Sequence, residues 1–161
     1  MNLGLRYSPN RRVPVAYADA DWGSDAIDRK SYSAHVIILS GSPILWEPKK
    51  QKTVALSSAE AEYMAMSECA KEVIYFRNLL KELGFEQLRS VNIYNDNQEA
   101  LKFSENNVHH ARTKHIDIKH HFLRDCVKND EFTIKYLSTE EMIADMLTKP
   151  LARKKFEMCI E

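Results

Sequence analysis

Several features that would place a protein in a specialised class are missing from this sequence. The three cysteines (Cys69, Cys126 and Cys159) are odd in number and far apart, so they provide neither a disulfide framework nor a cysteine metal site. No apolar run approaches the roughly 18 residues of a membrane span. The N-terminus lacks the apolar segment of a signal peptide. We therefore expect an intracellular protein that is not secreted and has no membrane partner.

An excess of charge of one sign is also missing, because 23 lysines and arginines balance 23 aspartates and glutamates. Whole-molecule charge therefore does not indicate a nucleic-acid partner, and any attraction to phosphate must come from local patches. The chain has 161 residues, of which 44% are apolar and 29% charged. These values are typical of one globular domain with a real core.

The spacing of apolar residues predicts a meander of three strands followed by alternating helices and strands. This order predicts an α/β fold with a five-stranded mixed sheet flanked by helices. We expect the domain to span residues 13–151, between a lead-in at 1–12 and a C-terminal tail at 152–161. The predicted strands cover 13–19, 31–39, a segment from Ile44, 91–94 and 132–137, and the predicted helices cover 56–80, 98–104, 115–128 and 139–147.

Four acids occupy positions from which their side chains could meet. Glu62 heads an otherwise apolar stripe on the long predicted helix, where an ionised carboxylate is costly unless a metal or a partner charge compensates it. Asp19 and Asp96 end predicted strands, and Asp145 lies near the start of the final predicted helix. Two-metal phosphodiester hydrolysis needs several carboxylates in one cavity. We therefore hypothesise a metal site, although any one of these acids could instead be a solvated turn residue.

Eight short motifs carry a resemblance that spans most of the chain. They are YADADW (17–22), DRKS (28–31), KKQ (49–51), ALSSAEAEYMA (55–65), NDNQEA (95–100), KHIDI (114–118), HF (121–122) and ADMLTKPL (144–151). With these motifs, in the same order and with compatible spacing, the sequence resembles the ribonuclease H domain of Ty1/copia-type retrotransposon Pol polyproteins.

The resemblance implies the ribonuclease H fold, two Mg²⁺ ions that Mn²⁺ could replace, and hydrolysis of the RNA strand of RNA–DNA hybrids. It implies that the ligands and catalytic residues are Asp19, Glu62, Asp96 and Asp145. Asp19 would bridge the two ions, Glu62 and Asp96 would hold one of them, and Asp145 would hold the other. Two nearby acids compete for these assignments. Asp21 would be a turn or supporting residue, and Glu60 lacks the place at the head of the apolar stripe.

Substrate contacts are expected from residues before, at the start of and after the long predicted helix in the sequence. The resemblance places three polar side chains near the 2′-hydroxyls of the hybrid, and three lysines could meet backbone phosphates. The alternatives are helix capping for the serines, a surface amide for the glutamine and a solvated loop for the lysines. The residues concerned are Ser57, Ser58, Gln98, Lys49, Lys50 and Lys52.

One feature of the wider family is missing. Members often carry a histidine between the fifth strand and the last helix, and here residues 137–141 contain none. His115, or one of His109, His110, His120 and His121, could compensate, although His115 could equally pack against Asp117 or cap a helix.

The resemblance also implies partners. They are an RNA–DNA hybrid and an upstream reverse transcriptase reached through residues 1–12, in a cytoplasmic particle or the nucleus. The alternative is an inactive or domesticated retrotransposon fragment that binds nucleic acid or protein without cutting. An integrase-like nuclease of the same fold is disfavoured, because such chains place the glutamate last.

Overall fold

The structure is a computed structural model that describes residues 4–9, 13–85, 91–105 and 114–160, without the side chains of 103–105 and 114–116. Its centre is a five-stranded mixed sheet with the strand order β3-β2-β1-β4-β5. The first three strands are antiparallel, whereas β4 runs parallel to both β1 and β5. The strands are β1 (Val15–Ala20), β2 (Tyr32–Leu39), β3 (Ser42–Lys50), β4 (Val91–Asn95) and β5 (Phe132–Tyr136). The predicted fold class is confirmed.

Four α-helices accompany the sheet in the described residues: α1 (Ser58–Glu82), α2 (Gln98–Glu105), α3 (Lys114–Lys128) and α4 (Arg153–Ile160). The long helix α1 begins with a capping arrangement, in which the Ser57 hydroxyl accepts a hydrogen bond from Glu60 N and Glu60 Oε2 accepts one from Leu56 N. It ends before Gly84, whose φ of +84° is the left-handed conformation that favours glycine. No described helix combines the length and hydropathy needed to cross a membrane.

The main core lies between α1 and one face of the sheet. The predicted apolar stripe of α1 is buried along its whole length, from Met66 to Leu80. It packs with Ala16, Ala18 and Ile37 of the meander and with residues of β4 and β5. Because strand residues alternate between faces, the neighbours of these residues, Tyr17 and Val36, point to the opposite side.

A smaller cluster on that opposite face fixes the segment after β5. Buried Met142 and Ala144 pack on Val36, with Tyr17 and Leu147 at the margin. The predicted single helix over 139–147 is wrong, because extended backbone at Met142 separates two 3₁₀ turns, Thr139–Glu141 and Ile143–Leu147. Burial of the Met142 side chain against the sheet accounts for this interruption. The order of the preceding elements follows the prediction, and α4 is an additional helix within the predicted C-terminal tail.

Strand β3 also differs from the prediction. It starts at Ser42 and continues to Lys50, through a lysine-rich segment for which a solvated loop was one alternative, because the backbones of Lys49 and Lys50 pair with Ser33 and Tyr32 of β2. Helix α4 follows the two 3₁₀ turns and packs against them through Cys159. This side chain is buried, and its Sγ lies 3.9 Å from Met142 O.

Candidate metal centre

Sheet topology brings the acids of β1 and β4 together. The two strands are parallel neighbours, with Tyr17 opposite Tyr94, so their carboxyl ends reach the same edge of the sheet. Asp19 lies near the end of β1, and Asp96 follows β4 directly. The second 3₁₀ turn, docked through Ala144, adds Asp145 to the same edge.

Asp19, Asp96 and Asp145 form one cluster, in which a carboxylate oxygen from each lies within 4.8 Å of the others. Asp19 and Asp145 are buried, with 0% and 2% of their surface exposed, and Asp96 is half-buried. Carboxylate oxygens are the hard ligands that Mg²⁺ and Mn²⁺ prefer. Three of them at this spacing therefore fit a divalent metal ion.

Glu62 lies beside this cluster and is not one of its three members. Its buried side chain projects from the second turn of α1, and its Oε2 accepts hydrogen bonds from Ala20 N at 3.2 Å and Asn95 Nδ2 at 2.8 Å. Asn95 is itself fixed, because Nδ2 also donates to Ala18 O at 2.9 Å. Two neutral donors thus orient Glu62 between the ends of β1 and β4.

Electrostatics in the cluster are unfavourable to negative charge. Burial raises the pKa of Asp19, and this effect exceeds the opposing influence of Lys149 and of the Thr148 hydroxyl. Burial also raises the pKa of Glu62 well above its ordinary range, and the charges of Asp19 and Asp96 raise it further. A divalent cation would relieve both penalties.

Lys149 is a charged site residue that the sequence-based predictions missed. Its Nζ lies 2.9 Å from Asp19 Oδ1 and 2.8 Å from Asp145 Oδ1. Burial lowers the pKa of the ammonium group, but the charge of Asp19 and the hydrogen bonds to both acids together outweigh burial and raise it. The sequence signal for this contact was the spacing of four residues between Asp145 and Lys149, because side chains four residues apart lie on the same side of a helical turn.

Hydroxyl groups satisfy other oxygens of the cluster. Thr148 Oγ1 donates to Asp19 Oδ2, and Thr139 Oγ1 donates to Asp96 Oδ2 at 2.6 Å. Both threonines come from the segment after β5, so that segment supplies donors as well as Asp145.

The two competing acids have local partners instead. Asp21 accepts hydrogen bonds from Ser24 Oγ and from Tyr32 N in the turn after β1. Glu60 caps the start of α1. Neither belongs to the three-carboxylate cluster.

The predicted substrate-binding residues lie at the ends of secondary-structure elements. Ser57, Ser58 and Gln98 are exposed, the serines at the start of α1 and Gln98 at the start of α2. Their positions leave the predicted 2′-hydroxyl contacts untested, and Ser57 has the capping role that was the alternative.

The three lysines have different surroundings. Lys50 Nζ lies 2.6 Å from Asp25 Oδ2 and 3.1 Å from Asp28 Oδ1, and Lys49 pairs with Glu47 at 3.3 Å. Lys52 is exposed. Phosphate contacts by Lys49 and Lys50 would compete with these acids, and all three assignments remain predictions.

The candidate histidines divide between described and undescribed parts of the chain. His109 and His110 and the side chain of His115 lie outside the described residues. The His120 ring stacks on Tyr63 with a centroid distance of 4.8 Å, and His121 Nε2 lies 3.6 Å from Asp117 Oδ1 on α3. Both histidines lie on α3 and have structural contacts, His120 with Tyr63 of α1 and His121 with Asp117 of α3.

Sequence comparison finds close relatives among transposon polyproteins. The chain is 46% identical over 145 residues to the Pol polyprotein of transposon TNT 1-94 from Nicotiana tabacum, covering 90% of this chain and 11% of that protein. It is 42% identical over 142 residues to the Pol polyprotein of transposon RE1 from Arabidopsis thaliana, covering 88% and 10%. The chain thus spans about a tenth of these relatives. No protein-family model matches it.

Structure comparison identifies the fold. LC11-RNase H1, isolated from compost, superposes with a TM-score of 0.63 at 14% identity, covering 85% of this chain and 93% of that one. The foamy viral protease–reverse transcriptase, in complex with an RNA/DNA hybrid, superposes with a TM-score of 0.62 at 14% identity, covering 92% and 21%. By sequence the chain is related to a segment of the Pol polyproteins of copia-type retrotransposons, and by fold it is ribonuclease H-like.

Proposed function

We propose that this domain is a metal-dependent endoribonuclease that hydrolyses the RNA strand of RNA–DNA hybrids. The observation that carries the proposal is the carboxylate cluster of Asp19, Asp96 and Asp145, with oxygens within 4.8 Å of one another at one sheet edge. Two structures of the same fold, LC11-RNase H1 and the foamy viral enzyme, were solved in complex with an RNA/DNA hybrid.

The metal ligands in this proposal are Asp19, Asp96 and Asp145 with Glu62, and the ions are Mg²⁺ or Mn²⁺. Two such ions supply a nucleophile at neutral pH and neutralise charge on the attacking and leaving oxygens of the phosphate. The chain's own part is to place hard oxygen ligands rigidly. Asp19 is fixed within a strand, and Glu62 is oriented by Asn95 and Ala20 N.

Hybrid recognition would use groups at the starts of α1 and α2 and at the end of β3. The exposed hydroxyls of Ser57 and Ser58 and the exposed amide of Gln98 can hydrogen-bond 2′-hydroxyls across the shallow minor groove. Lys49, Lys50 and Lys52 would meet phosphates, which fix the position of a duplex without reading its sequence. A duplex without 2′-hydroxyls would lack the first set of contacts, so the proposal predicts selectivity for hybrids over duplex DNA.

The natural setting in this proposal is a longer polyprotein. The chain spans about a tenth of its Pol relatives, and the foamy viral structure that shares its fold is a protease–reverse transcriptase. We propose that a reverse transcriptase domain supplies the hybrid, in a cytoplasmic particle or the nucleus.

The test is cleavage of a labelled RNA–DNA hybrid in Mg²⁺, beside single-stranded RNA and duplex DNA. Asp96→Asn removes a carboxylate from the least buried member of the cluster, so the fold should survive. Metal ions contribute several kcal/mol to such reactions, and a factor of ten corresponds to about 1.4 kcal/mol. We expect wild-type protein to cut only the hybrid and Asp96→Asn to be slower by more than about 100-fold.

Asp125→Asn, at an exposed position of α3, is the matched control and should cut at the wild-type rate. If folded wild-type protein binds the hybrid without cutting it in Mg²⁺ or Mn²⁺, the domain is a binding module and the proposed activity is wrong.

A further inference from the structure

We propose that Lys149 is a built-in counter-ion of the acidic cluster, which holds Asp19 and Asp145 together without metal and must leave them when metal binds. The proposal rests on the proposed function only in taking these acids as metal ligands. It gives Lys149 a positioning role, and no contact with substrate is required.

The ammonium group bridges two acids that are far apart in sequence. Lys149 Nζ is 2.9 Å from Asp19 Oδ1 and 2.8 Å from Asp145 Oδ1, distances typical of charge-assisted hydrogen bonds. The side chains of Asp19 and Asp145 are 0% and 3% exposed, whereas that of Lys149 is 33% exposed. The cation therefore closes the outer side of a buried anionic site.

The local backbone holds the lysine in this place. Lys149 N and Thr148 N both donate to Asp145 O, at 3.0 Å and 3.2 Å, so the chain turns back on Asp145. In the same turn Thr148 Oγ1 donates to Asp19 Oδ2 while Lys149 occupies Oδ1. Both oxygens of Asp19 therefore accept a hydrogen bond from one dipeptide. A metal ion that binds Oδ1 would face the Lys149 ammonium group, which is 2.9 Å from that oxygen, and repulsion between the two cations favours withdrawal of Lys149.

The nearest other cation cannot easily replace Lys149. Lys155 Nζ is 3.7 Å from Asp145 Oδ2, and it also donates at 2.6 Å to the carbonyl oxygens of Thr139 and Glu140. Removing one partner of a buried ion pair leaves an uncompensated charge, which is strongly destabilising. Loss of the Lys149 charge should therefore destabilise the metal-free protein and leave a more negative site that attracts a divalent ion more strongly.

The first experiment compares wild-type protein with Lys149→Met, in which a side chain of similar length has no charge. Mn²⁺ binding is measured by electron paramagnetic resonance and unfolding is measured in EDTA. We expect Mn²⁺ to bind Lys149→Met about tenfold more tightly, as expected for loss of a close competing charge. We expect the melting temperature in EDTA to fall by about 5 °C or more and to recover in Mn²⁺.

Two variants control for charge and for lysine loss in general. Lys149→Arg should keep the wild-type affinity for Mn²⁺, and Lys154→Met, at an exposed position of α4, should change neither quantity. Unchanged or weaker Mn²⁺ binding by folded Lys149→Met would overturn the proposal.

A second measurement needs no variant. Acetylation of lysines by an activated acetate ester, read by mass spectrometry, should be faster at Lys149 in Mn²⁺ than in EDTA and unchanged at Lys154. If wild-type protein binds Mn²⁺ and the rate at Lys149 stays the same, this inference fails and the proposed function stands. If wild-type protein binds no Mn²⁺, both fail.

Discussion

Glu62 is a carboxylate that the fold has taken out of water, with neutral hydrogen-bond donors on Oε2. Burial raises its pKa well above the ordinary range, and Asp19 and Asp96 add to the effect. The ionised form is therefore disfavoured in the folded, metal-free protein. Such a residue costs stability, and the divalent cation of the proposed function would relieve that cost.

Removing this charge should stabilise the metal-free domain. The amide oxygen in Glu62→Gln can still accept from Ala20 N and Asn95, so we expect a gain of about 1–2 kcal/mol at neutral pH, or roughly 2–8 °C in melting temperature. The check is thermal unfolding in EDTA, with exposed Glu82→Gln as the control.

The sign of the pH dependence follows from the raised pKa. Below the ordinary carboxyl pKa, Glu62 is protonated in both the folded and the unfolded protein, and its charge costs no stability. As pH rises towards the higher pKa of the folded state, the unfolded protein releases this proton more readily, so the free energy of unfolding falls. The advantage of Glu62→Gln should therefore grow with pH. A variant less stable than wild type at neutral pH in EDTA would contradict this reading of Glu62.

The residues of the cluster differ in how far sequence could identify them. Asp19, Asp96 and Asp145 were predicted from strand ends, a helix start and matching motifs, and the structure brings these three together. The contact between Lys149 and Asp19 joins positions 130 residues apart. No local pattern encodes that distance, so it could be found only from the fold.

The start of helix α1 positions two serines of the proposed hybrid-binding surface, Ser57 and Ser58. Ser57 is its N-cap, and the Ser57 hydroxyl oxygen accepts from Glu60 N at 3.1 Å. Ser58 is the first helical residue and is also exposed. The two serines therefore have the same chemistry and different structural roles.

This difference predicts distinct effects for two alanine substitutions. Ser57→Ala should lower the free energy of unfolding by about 1 kcal/mol, because one backbone N–H loses its partner, whereas Ser58→Ala should change it by less than about 0.5 kcal/mol. Urea denaturation measures both. Equal losses would show that the cap is not the source of the effect, and weaker hybrid binding by Ser58→Ala would support its substrate role.

Helices and strands were predicted well where apolar residues recur with a regular period, and poorly where tertiary contacts determine the boundaries of an element. The α1 stripe from Met66 to Leu80 is buried as expected. By contrast, Lys49 and Lys50 have no apolar strand pattern and still form the end of β3, because backbone pairing does not depend on apolar side chains. The break at Met142 depends on its packing against Val36, which lies more than 100 residues earlier.

The whole molecule brings together three acids that lie in three separate parts of the chain, with Glu62 beside them. The order of elements predicted the mixed sheet, and the motifs predicted the ribonuclease H fold. The parallel pairing of β1 with β4 places Asp19 beside Asp96, and docking of the last segment adds Asp145. The site is thus formed by the sheet topology. The local sequence limits which topologies are possible but does not select one of them.

Chemical analysis of the ends of the RNA fragments released from a hybrid is the most direct test of this account. Attack by water with departure of the 3′ oxygen, as two-metal hydrolysis requires, leaves a 3′-hydroxyl and a 5′-phosphate. We predict these ends from wild-type protein in Mg²⁺, and none above background from Asp96→Asn. Fragments ending in a 2′,3′-cyclic phosphate would show attack by the ribose hydroxyl and would contradict a carboxylate-held metal centre as the source of cleavage.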